Sequence, residues 1–213
     1  MKTNLALAKV ACTLLLLASV RLQAAEGWVR YEAQPGSKMK IDGTSTIHDW
    51  TVESKLIGGY VEFDPAFDLE NPKPGNVNAR TSVRILIRQL KSDKTAMDNV
   101  MYDAMKQKEH PRIEYKLSEM TLKAAPKSRT DPVVFDTKGE LTVSGVTNKI
   151  SMPVTMQRVD QSKLKFSGSA SVKMTSFGIQ PPSPPLLGSV IKTGDDVKIT
   201  FEWLTAKRGE TAK

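Results

Sequence analysis

Two periodicities divide the chain. Over residues 77–88 side chains alternate without a break: Val77, Ala79, Thr81, Val83, Ile85 and Ile87 point one way, and Asn78, Arg80, Ser82, Arg84, Leu86 and Arg88 the other. A repeat of two is the signature of a strand with one dry and one wet face. The same alternation runs through Leu164, Phe166, Gly168, Ala170, Val172 and Met174, through Ile150, Met152, Val154 and Met156, and through Val197, Ile199, Phe201 and Trp203. Weaker versions occupy 28–33, 38–41, 47–54, 59–63, 112–122 and 135–143, which brings the upper count to ten strands.

Strands that are wet on one face do not belong to a parallel sheet covered by helices on both sides, so the sheet is expected to be antiparallel. Turn signals at Gly58-Gly59, Ser144-Gly145-Val146 and Gly194-Asp195-Asp196 join neighbouring strands directly, which favours a meander. About eight long amphipathic strands in a meander hide their apolar face and their edges most economically by closing on themselves. The expected fold is therefore all-β, an antiparallel eight-stranded barrel, with a two-sheet sandwich as the alternative.

One stretch carries the other period. Between residues 94 and 108, Met97, Val100, Met101, Ala104 and Met105 recur at helical spacing, with Ser92 or Asp93 as the expected cap and His110-Pro111 as the stop. This predicts one short amphipathic helix in a connecting segment. Its apolar stripe is rich in methionine, whose flexible thioether suits a surface that repacks against apolar shapes, or the helix merely plugs one end of the barrel. Residues 176–188 contain Pro181, Pro182, Pro184 and Pro185, which donate no ladder hydrogen bonds, so a loop is expected there. Loops are also expected over 64–75 and 124–132, and a frayed tail from Thr205, with residues 206–213 as a charged C-terminal extension.

The amino terminus predicts an address. Lys2 and Lys9 precede the uncharged run VACTLLLLASV, and small residues follow at Ala24-Ala25. Eleven residues of helix rise only about 16 Å, roughly half the hydrocarbon thickness of a bilayer, so residues 1–24 read as a cleaved secretory signal and 25–205 as the folded domain. The chain is expected in the periplasm or secreted. Loss of Lys2, Lys9 and Arg21 with the signal lowers the net charge from +8 to +5, which keeps the protein soluble and leaves room for transient contact with a membrane surface. The one cysteine, Cys12, leaves with it, so the mature chain relies on its core and has no disulfide framework.

Candidate chemistry is sparse. The 213 residues contain two histidines, His48 and His110, and no HExxH, GxSxG or phosphate-binding glycine loop. Neighbours on a strand point to opposite faces, so His48 and Asp49 are not expected to act as a base and its orienter. Arg80, Arg84 and Arg88 make a basic stripe without interleaved aromatics, which argues against nucleic-acid binding. No enzyme activity, metal or cofactor is expected; a hydrolase or metal-dependent enzyme is the disfavoured class.

Four strings occur in order along most of the mature chain: IDGTSTIHDWTV (41–52), MYDAMKQKEHPRIEYKL (101–117), GELTVSGVTNKISMPV (139–154) and KMTSFGI (173–179). Together they resemble the YceI-like family, with the Gly139 to Thr147 hairpin string as the most specific part. The resemblance implies a lipocalin-like barrel exported to the bacterial periplasm that holds a polyisoprenoid chain, such as a quinone or prenyl pyrophosphate tail, in its interior. Binding and carriage of such an apolar lipid, without catalysis, is the function it implies. The apolar residues of these strands, of the helix and of the KMTSFGI string then supply the lining: Val83, Ile85, Met97, Met101, Met105, Ile113, Tyr115, Leu141, Met152, Phe166, Ala170, Met174, Phe177, Ile199 and Phe201. A packed core requires the same inward apolar pattern, so a structural or protein-interaction module with a filled barrel is the alternative. The sequence sets no oligomeric state; a dimer is compatible with it.

Overall fold

A computed structural model describes residues 27–186 and 189–209. The expected signal segment, 1–24, lies outside them. The strands are β1 (Val29–Ala33), β2 (Lys38–Ser45), β3 (Trp50–Ser54), β4 (Gly58–Phe63), β5 (Gly75–Asn76), β6 (Ala79–Leu86), β7 (Arg112–Leu122), β8 (Val133–Val143), β9 (Val146–Arg158), β10 (Lys163–Lys173), β11 (Pro185–Leu186), β12 (Ser189–Val190) and β13 (Thr193–Lys207); the helix α1 spans Thr95–Ala104.

Pairing is antiparallel throughout, and the ladder closes. Each of the first two staves is broken in the middle. β1 and β2 both pair with β13, at Ala33↔Thr205 and Glu202↔Lys38, and are separated by a corner at 34–37. Ser37 holds that corner: its hydroxyl donates to the Gln34 carbonyl (2.9 Å) and accepts from the Leu204 amide (3.0 Å). β3 and β4 pair with β2 and β1 in the same way, around a corner at 55–57 where the Ser54 hydroxyl donates to the Leu56 carbonyl. With β6, β7, β8, β9, β10 and β13 these two bent staves make an eight-stranded meander closed into a barrel, with no sheet edge along most of its circumference.

The antiparallel order fixes which connections share an end. At one end Phe63, Leu122, Phe135 and Leu164 are completely or almost completely buried, and Phe67 from the loop after β4 stacks on Phe63 (centroids 5.3 Å apart) and meets Phe135 edge-on (6.3 Å). These aromatics seal the floor. The opposite end receives the 45–50 loop, α1, the β8–β9 hairpin and the proline-bearing segment before β13. The hairpin turns at Ser144 (φ 51°) and Gly145 (φ 81°), and two consecutive left-handed residues match the twist of the flanking strands. A side chain at 145 would collide with the His110 ring, which packs on the turn.

Several sequence expectations need correction. The strand expected over 77–88 begins at Ala79 and ends at Leu86, because Ile87–Gln89 wind into one turn of 3-10 helix that drives Ile87 and Leu90 into the core. Gly58-Gly59 opens β4 instead of turning the chain, and the turn lies just before it. Gly194-Asp195-Asp196 sits inside β13: Asp195 accepts from the Thr175 amide and hydroxyl, and Lys173 reaches Asp196 at 2.9 Å. Those partners on the neighbouring chain segment satisfy the carboxylates that would otherwise favour a turn, and a register shift between Thr193 and Val197 absorbs the irregularity. The tail is ordered further than expected, since Thr205 is fully buried and β13 continues to Lys207. The proline segment folds back as the two-residue hairpin β11–β12, in which the Pro184 carbonyl accepts from the Ile191 amide.

Candidate functional site

The barrel is not filled. Above the aromatic floor lies a cavity of about 620 Å³ that opens at the α1 end and is lined overwhelmingly by apolar side chains. Its size falls in the range of small-molecule sites. All fifteen residues expected to face the interior line it. β6 contributes Val83 and Ile85, β7 Ile113 and Tyr115, β8 Leu141, β9 Met152, β10 Phe166 and Ala170, and β13 Ile199 and Phe201. Met174 and Phe177 lie at and within the 3-10 turn that follows β10, while Met97, Met101 and Met105 descend from α1. Seven of the nine methionines in the chain line this one cavity, which gives it an unbranched, polarisable and rearrangeable wall.

Other wall residues were not foreseen. Met39 and Ile41 belong to a strand whose apolar run is too short to fix its phase. Trp203 continues the β13 alternation toward the floor. Ser45 at the end of β2, Ile47, His48, Lys94, Pro182, Pro184 and Ile191 form the opening together with Val100 of the helical stripe; apart from Val100 they lie at a strand end and in loops, where no period reveals them.

The glycine of the β8 hairpin string has a local reason. At Gly139 a Cβ would run into the Tyr115 ring and the Lys116 carbonyl, so glycine leaves space for the tyrosine to lie across β8. The Tyr115 hydroxyl and the Trp203 Nε1 are buried without a hydrogen-bond partner. Burial pushes the Tyr115 phenol above its ordinary pKa, so the phenol stays neutral over the physiological range. Thr137 directs its hydrogen to the Met152 carbonyl (2.8 Å). No carboxylate lines the cavity among the described residues; the basic side chains there are Lys94 and His48, both at the opening. His48 Nδ1 lies 2.7 Å from the Asp49 carbonyl, which can only accept, so this nitrogen donates and the Asp49 carboxylate takes no part.

The helix is clamped over the opening at both ends. No side chain caps its start at Lys94. Ser92, the expected cap, instead donates its hydroxyl (2.7 Å) and its amide (2.8 Å) to the buried Asp98 carboxylate, which Lys91 also approaches at 3.4 Å. Desolvation raises the Asp98 pKa, but the Ser92 hydrogen bonds and Lys91 together outweigh it and hold the group below its ordinary 3.8. Tyr102 donates to the Leu90 carbonyl (2.8 Å) and accepts from Lys91 Nζ (2.8 Å). At the far end the buried Ser144 hydroxyl donates to the Met105 carbonyl (2.9 Å). The described residues contain no cluster of His, Cys, Asp and Glu able to hold a metal ion.

A closed eight-stranded antiparallel barrel with one helix across its open end belongs to the class of lipocalin-like barrels. Within that class the chain is a member of the YceI-like family, whose domain model matches residues 31–204. Solved structures agree on the fold. BcnA of Burkholderia cenocepacia is 18% identical, with 79% of this chain and 95% of that one covered at a TM-score of 0.59. A polyisoprenoid-binding domain from Saccharophagus degradans, implicated in plant cell wall breakdown, is 10% identical, with coverages of 85% and 99% and a TM-score of 0.63. The Campylobacter jejuni YceI protein is 21% identical, with coverages of 74% and 84% and a TM-score of 0.52. No curated protein sequence matches the chain.

Proposed function

We propose that this protein binds a long apolar lipid of the polyisoprenoid or isoprenoid-quinone type inside the barrel and carries it, without catalysis, through the periplasm after cleavage of its signal segment. The observation that carries the reading is the open apolar cavity of about 620 Å³, which no carboxylate lines among the described residues, where a filled core would leave no such space. Membership of the YceI-like family, together with the fold shared with a polyisoprenoid-binding domain, supports the choice of ligand.

The energetics suit a carrier. If a chain methylene needs roughly the 30 Å³ that a water molecule occupies in the liquid, the cavity has room for about twenty chain carbons. At about 0.8 kcal/mol each, their removal from water contributes roughly 16 kcal/mol, enough to offset an association cost of roughly 4–15 kcal/mol. A lipid drawn from a bilayer leaves an equally apolar medium, so loading and unloading at a membrane are nearly balanced while escape into water is suppressed.

Titration of the delipidated protein with a fluorescent linear polyene chain tests this. Saturable binding at one chain per barrel is expected, and Met101→Lys, which places a cation in the wall, should weaken it at least tenfold while the far-ultraviolet circular dichroism is retained. Absence of saturable binding by the native protein would contradict the reading.

A further inference from the structure

The opening differs from the rest of the surface. Ile47 is 52% exposed and Val100 is 36% exposed, yet both also line the cavity, so apolar side chains extend from the interior out onto the rim. Other exposed large apolar side chains, such as Leu56, Leu86, Val134 and Val159, do not line it.

Both rim residues are held in place. The Ser45 hydroxyl accepts from the Ile47 amide (3.3 Å) and the His48 amide (3.2 Å) and donates to the His48 carbonyl (2.7 Å), which ties residues 45–48 into a tight turn with Ile47 projecting from it. Trp50 closes the base of this turn by donating Nε1 to the Thr44 carbonyl (3.0 Å). Val100 sits on α1, which Asp98 and Tyr102 fasten to the 88–94 segment. Beside these wedges stands Lys94, with His48 at the same opening and no carboxylate in the lining; Asp49 and Asp93 adjoin them in sequence without lining the cavity.

From these features we infer that the rim docks on a phospholipid bilayer, with Ile47 and Val100 inserted at the headgroup boundary and Lys94 against the phosphates. The inference rests on the carrier reading above and adds to it the place where lipid is exchanged. Fixed apolar projections next to a cation have the composition of an interfacial membrane contact. Continuity with the cavity gives an apolar chain a path between membrane and barrel that never crosses water, and an acidic protein surface would make no use of that continuity.

Flotation of the full mature protein with liposomes of phosphatidylcholine and phosphatidylglycerol (3:1), and with phosphatidylcholine alone, tests it. The native protein should float with the anionic liposomes and bind them about fivefold more tightly than the neutral ones, a preference that added salt removes. Ile47→Asp with Val100→Asp should reduce binding at least tenfold, and Lys94→Glu should abolish the anionic preference. Leu56→Asp with Leu86→Asp, outside the rim, should leave flotation unchanged, and thermal melting establishes that each variant is folded. Failure of the native protein to float, or equal flotation by the Ile47/Val100 variant, overturns the docking surface. Uptake of the polyene probe from detergent micelles by the native protein is measured alongside: uptake without flotation removes the docking surface and leaves the carrier, whereas no uptake removes the carrier itself.

Discussion

At the scale of single residues, the interior is governed by a contrast between satisfied and unsatisfied polar groups. Thr137 and Thr205 are buried and both direct their hydroxyl hydrogens to backbone carbonyls, Met152 and Leu164 respectively. The Tyr115 hydroxyl has no such partner. Leaving a buried hydroxyl unpaired forfeits its hydration without a replacement, so its removal should carry no penalty. Tyr115→Phe is expected to keep or raise stability, by about 1 kcal/mol at most, in a denaturant titration; a loss of more than about 1 kcal/mol would mean that the hydroxyl has a partner after all. The period of β7 puts Tyr115 on the inner face with Ile113 and Leu117, since these alternate with Arg112, Glu114 and Lys116. The reason for Gly139 beneath it was not legible, since Gly139 pairs with Leu117 while the Tyr115 ring reaches it diagonally from its own pair with Leu141, and that is a matter of register.

At the scale of elements, the long strands were legible and the short ones were legible only in outline. β10 has nearly the expected bounds because eleven alternating residues outweigh any local exception, and β7 keeps its expected bounds although a bulge between Leu117 and Glu119 breaks its alternation. The bent staves β1–β2 and β3–β4 have runs of five to eight residues each, and their common function as two staves follows from pairing with β13 and with each other, which no local pattern encodes. The helix was visible through its methionines, but its fastening was not, because Asp98 looks like an ordinary surface acid until Ser92 and Lys91 are brought around it. That fastening has a pH dependence with a definite sign. A carboxylate whose folded pKa is depressed below 3.8 contributes stability that is present above that value and is lost as the pH falls through the folded pKa. Thermal melting should therefore show stability dropping below about pH 4, and Asp98→Asn should be about 2 kcal/mol less stable at neutral pH and show a smaller drop on acidification. If the variant matches the native protein at pH 7, the carboxylate does not hold the helix.

At the scale of the whole molecule, closure of the meander does two things at once. It removes the sheet edges, and it turns the apolar faces of eight staves toward a common axis that the aromatic floor seals at one end and the helix partly covers at the other. The sequence pattern carried the barrel but left open whether its centre is full, because a packed core and an empty one demand the same inward residues. The difference lies in side-chain volume integrated over the interior. Only the assembled barrel shows that Ala170, Val83 and the methionines stop short of meeting across it. That space is the basis of the proposed lipid carriage, and native mass spectrometry of the protein purified from cells that make the full chain, sprayed without organic solvent, examines it most directly. A mature chain starting near Ala25 and carrying one apolar lipid that collisional activation ejects intact is the expected result. A bare chain, under conditions in which a known lipid-loaded barrel keeps its ligand, would contradict it.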